Sequence, residues 1–440
     1  MNHHLSVTKH RIFAFALCAI GIQISHAETV TSMKQALEKV KQYQGQSEVS
    51  QQRQQISELQ IKNKSLWKNP SVSISQEGFA SDQERQLSFS INQPIDILGE
   101  RKLNKKIAQL AGQQNELQQQ LWNAQSELIV KFTWSQLALA EVEQQIYAAQ
   151  LQVSQNNLDS AKKRYQAGSI ALVDYERAQI EALENQRLFQ QASLDLQVAK
   201  HRLSNLWGET EADIQISKNQ MPWPAQSQTT IQNYIASGWL EKLYGLNTIQ
   251  AKQNIEQLKI KGRSNPNLNI GMTSTKNPDD KNNNALMLGV EIPLNIFNRQ
   301  QYTIPMAQKH QLLQSQQQQR ELKQQLLDIA NTLQQLKGLK SQFASVSRQL
   351  DLAEKVQQRT LIGFQVGKLS ITDVQQASLQ LQSIRMGQLN VLRQAWQTAL
   401  SAEALSLGTS YEQVSSSDAY TQLNKTAVEQ ANRLINLGAE

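Results

Sequence analysis

Only one of the 440 residues is cysteine, Cys18, and it lies inside an apolar run near the start. Lys9 and Arg11 precede that run, IFAFALCAIGI, and Ser25-His26-Ala27 fits a small-x-Ala cleavage site. Residues 1–27 therefore read as a secretory signal peptide cut after Ala27. Leu17 stands before Cys18, where lipid attachment would want a small residue, which argues against an anchor there. The mature chain then has no thiol, which excludes disulfides and cysteine metal ligands. After Ala27 no stretch approaches the roughly 18 apolar residues of a membrane-spanning helix.

Histidine is also scarce. Of six, His3, His4, His10 and His26 belong to the signal, leaving His201 and His310 far apart in the chain. A selective zinc or cobalt site needs clustered His, Cys or carboxylates, so no resident metal or other cofactor is expected. Enzyme motifs are missing: there is no GxSxG, no HExxH and no glycine-rich dinucleotide loop, and the chain reads as a non-enzyme. The formal charge of +7 falls by two when Lys9 and Arg11 leave, and the remaining basic residues are scattered among acids and glutamines. With no basic run carrying interleaved aromatics, nucleic acid is not an expected partner.

What the chain has in quantity is helix. From Arg101 to Arg164 and from Gln300 to Gly363 the only proline is Pro305. In the second region Ile329, Leu333, Leu336, Leu339, Phe343, Val346, Leu350, Ala353 and Val356 recur every three or four residues. The first does the same through Ala124, Leu128, Ser135, Leu139, Val142, Ile146, Ala149 and Val153. This is coiled-coil spacing, and about 63 residues at 1.5 Å each make helices on the order of 95 Å long. Further helical stretches, Asp174 to Leu206 and Asp373 to Leu407, turn each region into a helical hairpin.

The stretch GFQVGKLSITDVQQA, Gly363 to Ala377, sits at one such turn. It is not a P-loop, which needs four residues between its glycines and Ser or Thr after the lysine. It matches RYQAGSIALVDYERA, Arg164 to Ala178: Tyr165 aligns with Phe364, Gly168 with Gly367, and Asp174 with Asp373. The chain reads as two copies of one unit.

Elsewhere the period is two. Val72 and Ile74 alternate with serines, as do Leu87, Phe89 and Ile91. Leu268, Ile270 and Met272 alternate with Asn267, Asn269 and Gly271, and Leu286, Leu288, Val290, Ile292 and Leu294 form one face of a last strand. Four strands of roughly ten residues have the length that crosses a bilayer at a tilt. Their hairpins turn near Ala80–Glu84 and Lys276–Asn284. Pro94 and Pro293, with Gly99, mark strand–helix junctions, since proline cannot donate to a ladder. Four strands cannot close a barrel without leaving edges, so closure demands several chains. Phe79, Phe89 and Phe297 are candidate interface aromatics.

The duplication, the strand–strand–helix–tip–helix order and the motif VGKLSITDVQQA together resemble the outer-membrane efflux (TolC-type) proteins over essentially the whole mature chain. The segments NPSVSI (Asn69–Ile74), QPIDILGERK (Gln93–Lys102), NPNLNIG (Asn265–Gly271) and GVEIPLNIFNRQQ (Gly289–Gln301) resemble the branch serving cobalt–zinc–cadmium resistance. The resemblance implies a mostly helical fold: a periplasmic α-barrel of helical hairpins, plus four strands per chain in a 12-stranded barrel shared by a homotrimer. It implies a location in the outer membrane of a Gram-negative bacterium, in contact with its lipid. It also implies passive export of heavy-metal cations such as cobalt, zinc or cadmium. The tips, with Tyr165, Gly168, Phe364, Val366 and Gly367, would meet a periplasmic adaptor joined to an inner-membrane pump of the RND type. Asp373 and Asp174 are read as N-caps of the returning helices or, around a symmetry axis, as charged rings of a gate, with Arg164 and Lys368 as partners. Gln376 stands where some members carry a second aspartate. Rival readings are a channel for drug efflux or type I protein secretion, and a periplasmic coiled-coil scaffold. The expected organisation is a first repeat over 28–206 (helix, β-hairpin, helical hairpin), an irregular linker over 207–230, a second repeat over 231–408 and a tail over 409–440.

Overall fold

A computed structural model of the chain describes residues 29–79, 84–210, 213–215, 222–276, 282–426 and 428–429. The expected signal segment, the expected hairpin turns at 80–83 and 277–281, and the last residues of the tail lie outside these. Two short helices, α1 (Met33–Tyr43) and α2 (Gln46–Lys64), lead into strands β1 (Ser71–Glu77) and β2 (Arg85–Pro94). The long helix α3 (Glu100–Gln166) and its return α4 (Leu172–Ser204) follow. The same order then recurs: α5 (Ala225–Ser237), α6 (Trp239–Lys261), β3 (Asn267–Lys276), β4 (Asn282–Glu291), α7 (Thr303–Gln365) and α8 (Ile371–Ser406). Helix α5 begins inside the stretch expected to be irregular, and each unit carries two leading helices where one was expected. A last short helix, α9 (Tyr411–Ser415), is nucleated by a capping box between Ser410 and Gln413.

At 67 and 63 residues, α3 and α7 are each about 95–100 Å long. Pro305 does not break α7 because it occupies the first turn, where its missing N–H has no intrahelical partner to lose. Each long helix packs along its own return helix, and α3 also packs against α6 and α8. The predicted stripes face inward: Leu128, Ser135 and Leu139 on α3 and Ile329, Leu336 and Ala353 on α7 are buried. The exceptions are Ala149 on α3, which is exposed, and Val356, 50% exposed near the far end of α7.

The largest core lies midway along the molecule. Leu121, Leu128, Val130 and Leu137 of α3 meet Leu203 of α4, Leu400 and Ala404 of α8, and Val40 of α1. The segment after α8 closes this core: Tyr420 is buried, its hydroxyl bonded to Ser126 Oγ at 2.6 Å and receiving Gln46 Nε2 at 3.1 Å. Beside it, Lys131 of α3 and the 2%-exposed Glu403 of α8 form an ion pair at 2.5 Å.

The four strands form one antiparallel sheet in the order β1-β2-β3-β4, so the β2–β3 ladder joins the two halves. β1 is seven residues long, shorter than expected, because Pro70 before it has no N–H for the ladder. β4 ends at Glu291. Ile292 and Leu294, expected on its face, fall beyond it because Pro293 ends the pairing.

Candidate functional site

Two regions carry the candidate chemistry, the helical tips and the sheet at the opposite end of the long helices. At each tip the chain must reverse within a few residues. Gly168 (φ 70°) and Gly367 (φ 77°) supply the left-handed conformation that L side chains resist. The Gly168 N–H donates to Tyr165 C=O at 2.9 Å and Ser169 N–H to Arg164 C=O at 2.8 Å. At the second tip Gly367 N–H donates to Phe364 C=O and Lys368 N–H to Gly363 C=O. Both pairs are Schellman closures that satisfy the last carbonyls of the long helices. A Cβ added at either glycine would meet nothing within 4 Å, so both tips are open on their outer side. Gly363 lies within α7 and not in a loop, and its bare Cα accommodates Leu369.

The two tips of one chain touch. The Arg164 guanidinium sits 4.5 Å from the centre of the Phe364 ring, and its Nη1 donates to Phe364 C=O at 3.4 Å. Phe364, expected at the docking surface, is 1% exposed and packs on Ile371 and Val374. It supports the tip from inside. Of the five residues expected to dock, the other four are exposed: Gly168, Gly367, Val366, at 63%, and Tyr165, at 39%, whose ring stacks on Tyr175 at 5.6 Å.

Neither aspartate is an N-cap. The N-cap of α8 is Ser370, and Asp373, the third residue of the helix, closes its capping box. Asp373 Oδ2 accepts from Ser370 Oγ at 2.7 Å and from Ser370 N–H at 2.8 Å, and Ser370 Oγ accepts from Asp373 N–H. These hydrogen bonds hold its carboxyl below the usual range. Asp174 stands at the matching place in α4, whose N-cap Ala171 has no hydroxyl to reciprocate, and it pairs with Arg177 at 3.7 Å. Arg164, expected as an aspartate partner, is engaged by Phe364. Gln376 is exposed one turn beyond Asp373. Sequence reasoning missed Glu181, two turns along α4. Its carboxylate is shielded without a well-formed hydrogen bond, and burial pushes it above the usual range against a smaller opposing effect of Gln375. Its buried neighbours Ala178 and Ala182 were the available signal.

At the other end, cross-strand partners share a face. Val72, Ile91, Ile270 and Leu288 form one row, and Ile74, Phe89, Met272 and Leu286 the next. All eight are exposed, Leu286 to 89% and Leu288 to 75%. The opposite face carries Ser73, Ser90 and Gly271, and Ser75, Ser88 and Thr273. Below the sheet, Gly99 (φ 74°) starts α3, while Asp96 accepts from Glu100 N–H at 2.8 Å and Arg101 N–H at 2.9 Å. Asn265 Oδ1 accepts from Ile97 and Leu98 N–H, tying the two halves together. Among the described residues no group of three or more His, Cys, Asp or Glu could hold a metal ion, and no helix is long and apolar enough to cross a membrane.

No protein-family model matches the chain. Among solved structures, the outer membrane protein VceC from Vibrio cholerae superimposes with a TM-score of 0.62 at 15% identity, covering 86% of this chain and 97% of that one. The CmeC outer membrane channel of Campylobacter jejuni matches with a TM-score of 0.54 at 10% identity, over 98% and 97% of the two chains. The fold is that of an outer-membrane channel. Among curated proteins, the cobalt-zinc-cadmium resistance protein CzcC of Cupriavidus metallidurans is 25% identical over 349 residues, which is 73% of this chain and 77% of that protein. In the channel fold the apolar sheet face and the open tips stand at opposite ends of the long helices.

Proposed function

We propose that this chain is the outer-membrane channel of an efflux system, a passive duct with no catalytic step, and that its cargo is a heavy-metal cation. The observation that carries the channel is the sheet. It exposes two full rows of apolar side chains, is only four strands wide, and leaves β1 and β4 as edges. In water such a surface invites aggregation. In lipid, open edges cost several kcal/mol per unsatisfied group. Three copies joined edge to edge resolve both problems as a 12-stranded barrel, with the Ser- and Asn-rich face toward a wet lumen. The helices continue the duct about 95 Å into the periplasm, and the open tips at Gly168 and Gly367 are where a periplasmic adaptor, coupled to an RND-type inner-membrane pump, would dock.

Support for the metal cargo comes from the similarity to CzcC. In this reading cation selectivity rests with the pump and adaptor, and the channel contributes an exit path. The test is deletion of the gene followed by challenge with cobalt, zinc, cadmium and a panel of hydrophobic drugs. Sensitivity to at least one of the metals, reversed by the wild-type gene, is expected. Sensitivity to drugs alone would transfer the cargo to the drug-efflux reading and leave the channel standing.

A further inference from the structure

Where the sheet meets the helices, the surface changes character. Four short stretches, residues 62–68, 96–106, 256–263 and 291–299, hold eleven Lys and Arg against four Asp and Glu. Two of the cations are paired, Lys68 with Glu100 at 2.9 Å and Lys259 with Glu256 at 2.6 Å. Asp96 is occupied in capping α3. Lys64, Arg101, Lys261, Arg263 and Arg299 have no carboxylate within 4 Å among the described ion pairs. At the other end of the sheet the described charges, Glu77, Glu84, Arg85 and Lys276, balance in sign. The excess is one-sided.

Large apolar side chains accompany these cations. Trp67 is 59% exposed, Phe297 92% and Tyr302 83%. The stretches are locked together: Asn295 Nδ2 donates to Lys261 C=O at 3.2 Å, and a Cβ on Gly262 would come within 2.7 Å of Arg299 C=O. On one side lies a cleft of about 150 Å³. Its polar wall includes Lys64, Arg101, Asn104 and Asn265, and its apolar wall Leu66, Trp67 and Ile95, with Asp96 and Glu100 held in the bonds already described. The Arg101 guanidinium lies 4.1 Å over the Trp67 ring. A cation stacked on an aromatic and in no ion pair of its own, beside an apolar wall, suits a ligand that is anionic at its head and apolar behind it.

We propose that this collar binds anionic phospholipid headgroups of the leaflet on the helical side of the membrane, with the cleft at Lys64, Trp67 and Arg101 as a headgroup seat. The inference rests on the membrane-channel reading and adds a lipid preference to it. Charge complementarity identifies the occupant, since basic residues beside a bilayer attract anionic lipid by about 1 kcal/mol each, or about five-fold in affinity. Continuity with the apolar face places the collar at headgroup depth, where tryptophan and tyrosine also partition. A soluble acidic protein would have no use for the exposed Phe297 and Trp67.

The test reconstitutes the full-length protein into phosphatidylcholine liposomes. A minor share of the lipid is replaced by brominated phosphatidylglycerol or, in a parallel sample, brominated phosphatidylcholine. Quenching of Trp67 is read as the difference between wild type and Trp67→Phe, which removes the contribution of the other tryptophans. Brominated phosphatidylglycerol should quench Trp67 more strongly, and Lys64→Gln, Arg101→Gln and Arg263→Gln should each lower the relative affinity about five-fold. Retained quenching by brominated phosphatidylcholine shows that these variants are inserted. Equal quenching by the two lipids in the wild type, or an unchanged preference in a variant carrying all three substitutions, would overturn the headgroup site and leave the channel reading intact. Absence of quenching by either lipid, with protein that fails to float with the liposomes, would instead overturn the membrane reading itself.

Discussion

At Asp373 a role in the fold, which the structure shows, can be separated from the proposed role in a gate. Its carboxylate closes the capping box with Ser370, yet it remains exposed at the tip. Charge and cap are separable by mutation. Asp373→Asn keeps an acceptor oxygen and removes the charge, while Ser370→Ala keeps the charge and removes the reciprocal hydroxyl, at about 1 kcal/mol of helix stability. If copies of Asp373 ring the axis, Asp373→Asn shifts the reversal potential in asymmetric salt toward lower cation selectivity, and Ser370→Ala leaves it unchanged; single-channel recording in planar bilayers checks both. The pH dependence has a definite sign. Ser370 holds the carboxyl below its usual range, so the cap and the charge are present above the ordinary carboxylate pKa. Both are lost only as pH falls through the depressed value. Gly367 permits a second separation. Gly367→Asn adds bulk on the open side while tolerating the left-handed backbone, whereas Gly367→Val adds strain of about 1–2 kcal/mol. Loss of adaptor crosslinking in Gly367→Asn with full assembly places the partner at the tip. Loss of assembly instead would return the glycine to a turn-forming role.

At the scale of elements, the Lys131–Glu403 pair pins α3 to α8 beside the central core. Removing one member strands a buried charge. Lys131→Met should cost about 3–5 kcal/mol in thermal unfolding followed by circular dichroism, and Lys131→Met with Glu403→Leu should recover most of it. The sheet offers a comparison of faces. Leu288→Arg on the apolar side should cost about 2–4 kcal/mol and block insertion, whereas Ser73→Arg on the polar side should assemble. Equal behaviour in outer-membrane fractionation would contradict the sidedness. Helices and strands were legible because their periods of 3.6 and 2 are local consequences of backbone geometry. The cap positions at Ser370 and Ala171, the helix α5 and the junction roles of Asp96 and Asn265 were not. The Ser370-x-x-Asp373 box is a local pattern in which Asp373 itself also reads as a cap, whereas Asn265 acts on Ile97 and Leu98, far away in the chain.

For the whole molecule the decisive feature is that β1 and β4 end the sheet without a neighbour among the described residues. Cys18 is the chain's only cysteine, so with Cys18 replaced by Ser any introduced pair of thiols is the sole pair in the protein. Pairs placed in β1 at Ser73 or Ser75 and in β4 at Ala285 or Met287 should yield dimers and trimers on oxidation, seen on non-reducing gels. Monomers from every pair would remove the shared barrel. The sequence by itself determined the long helices, the alternating strands, the glycine turns and the scarcity of metal ligands, because each follows from short-range periodicity or composition. Only the tertiary structure decided that the apolar rows of all four strands align on one exposed face, that Arg164 closes on Phe364, and that the uncompensated cations gather beneath the sheet. Those facts depend on register and on contacts between residues far apart in the chain, for which local pattern carries no physical constraint.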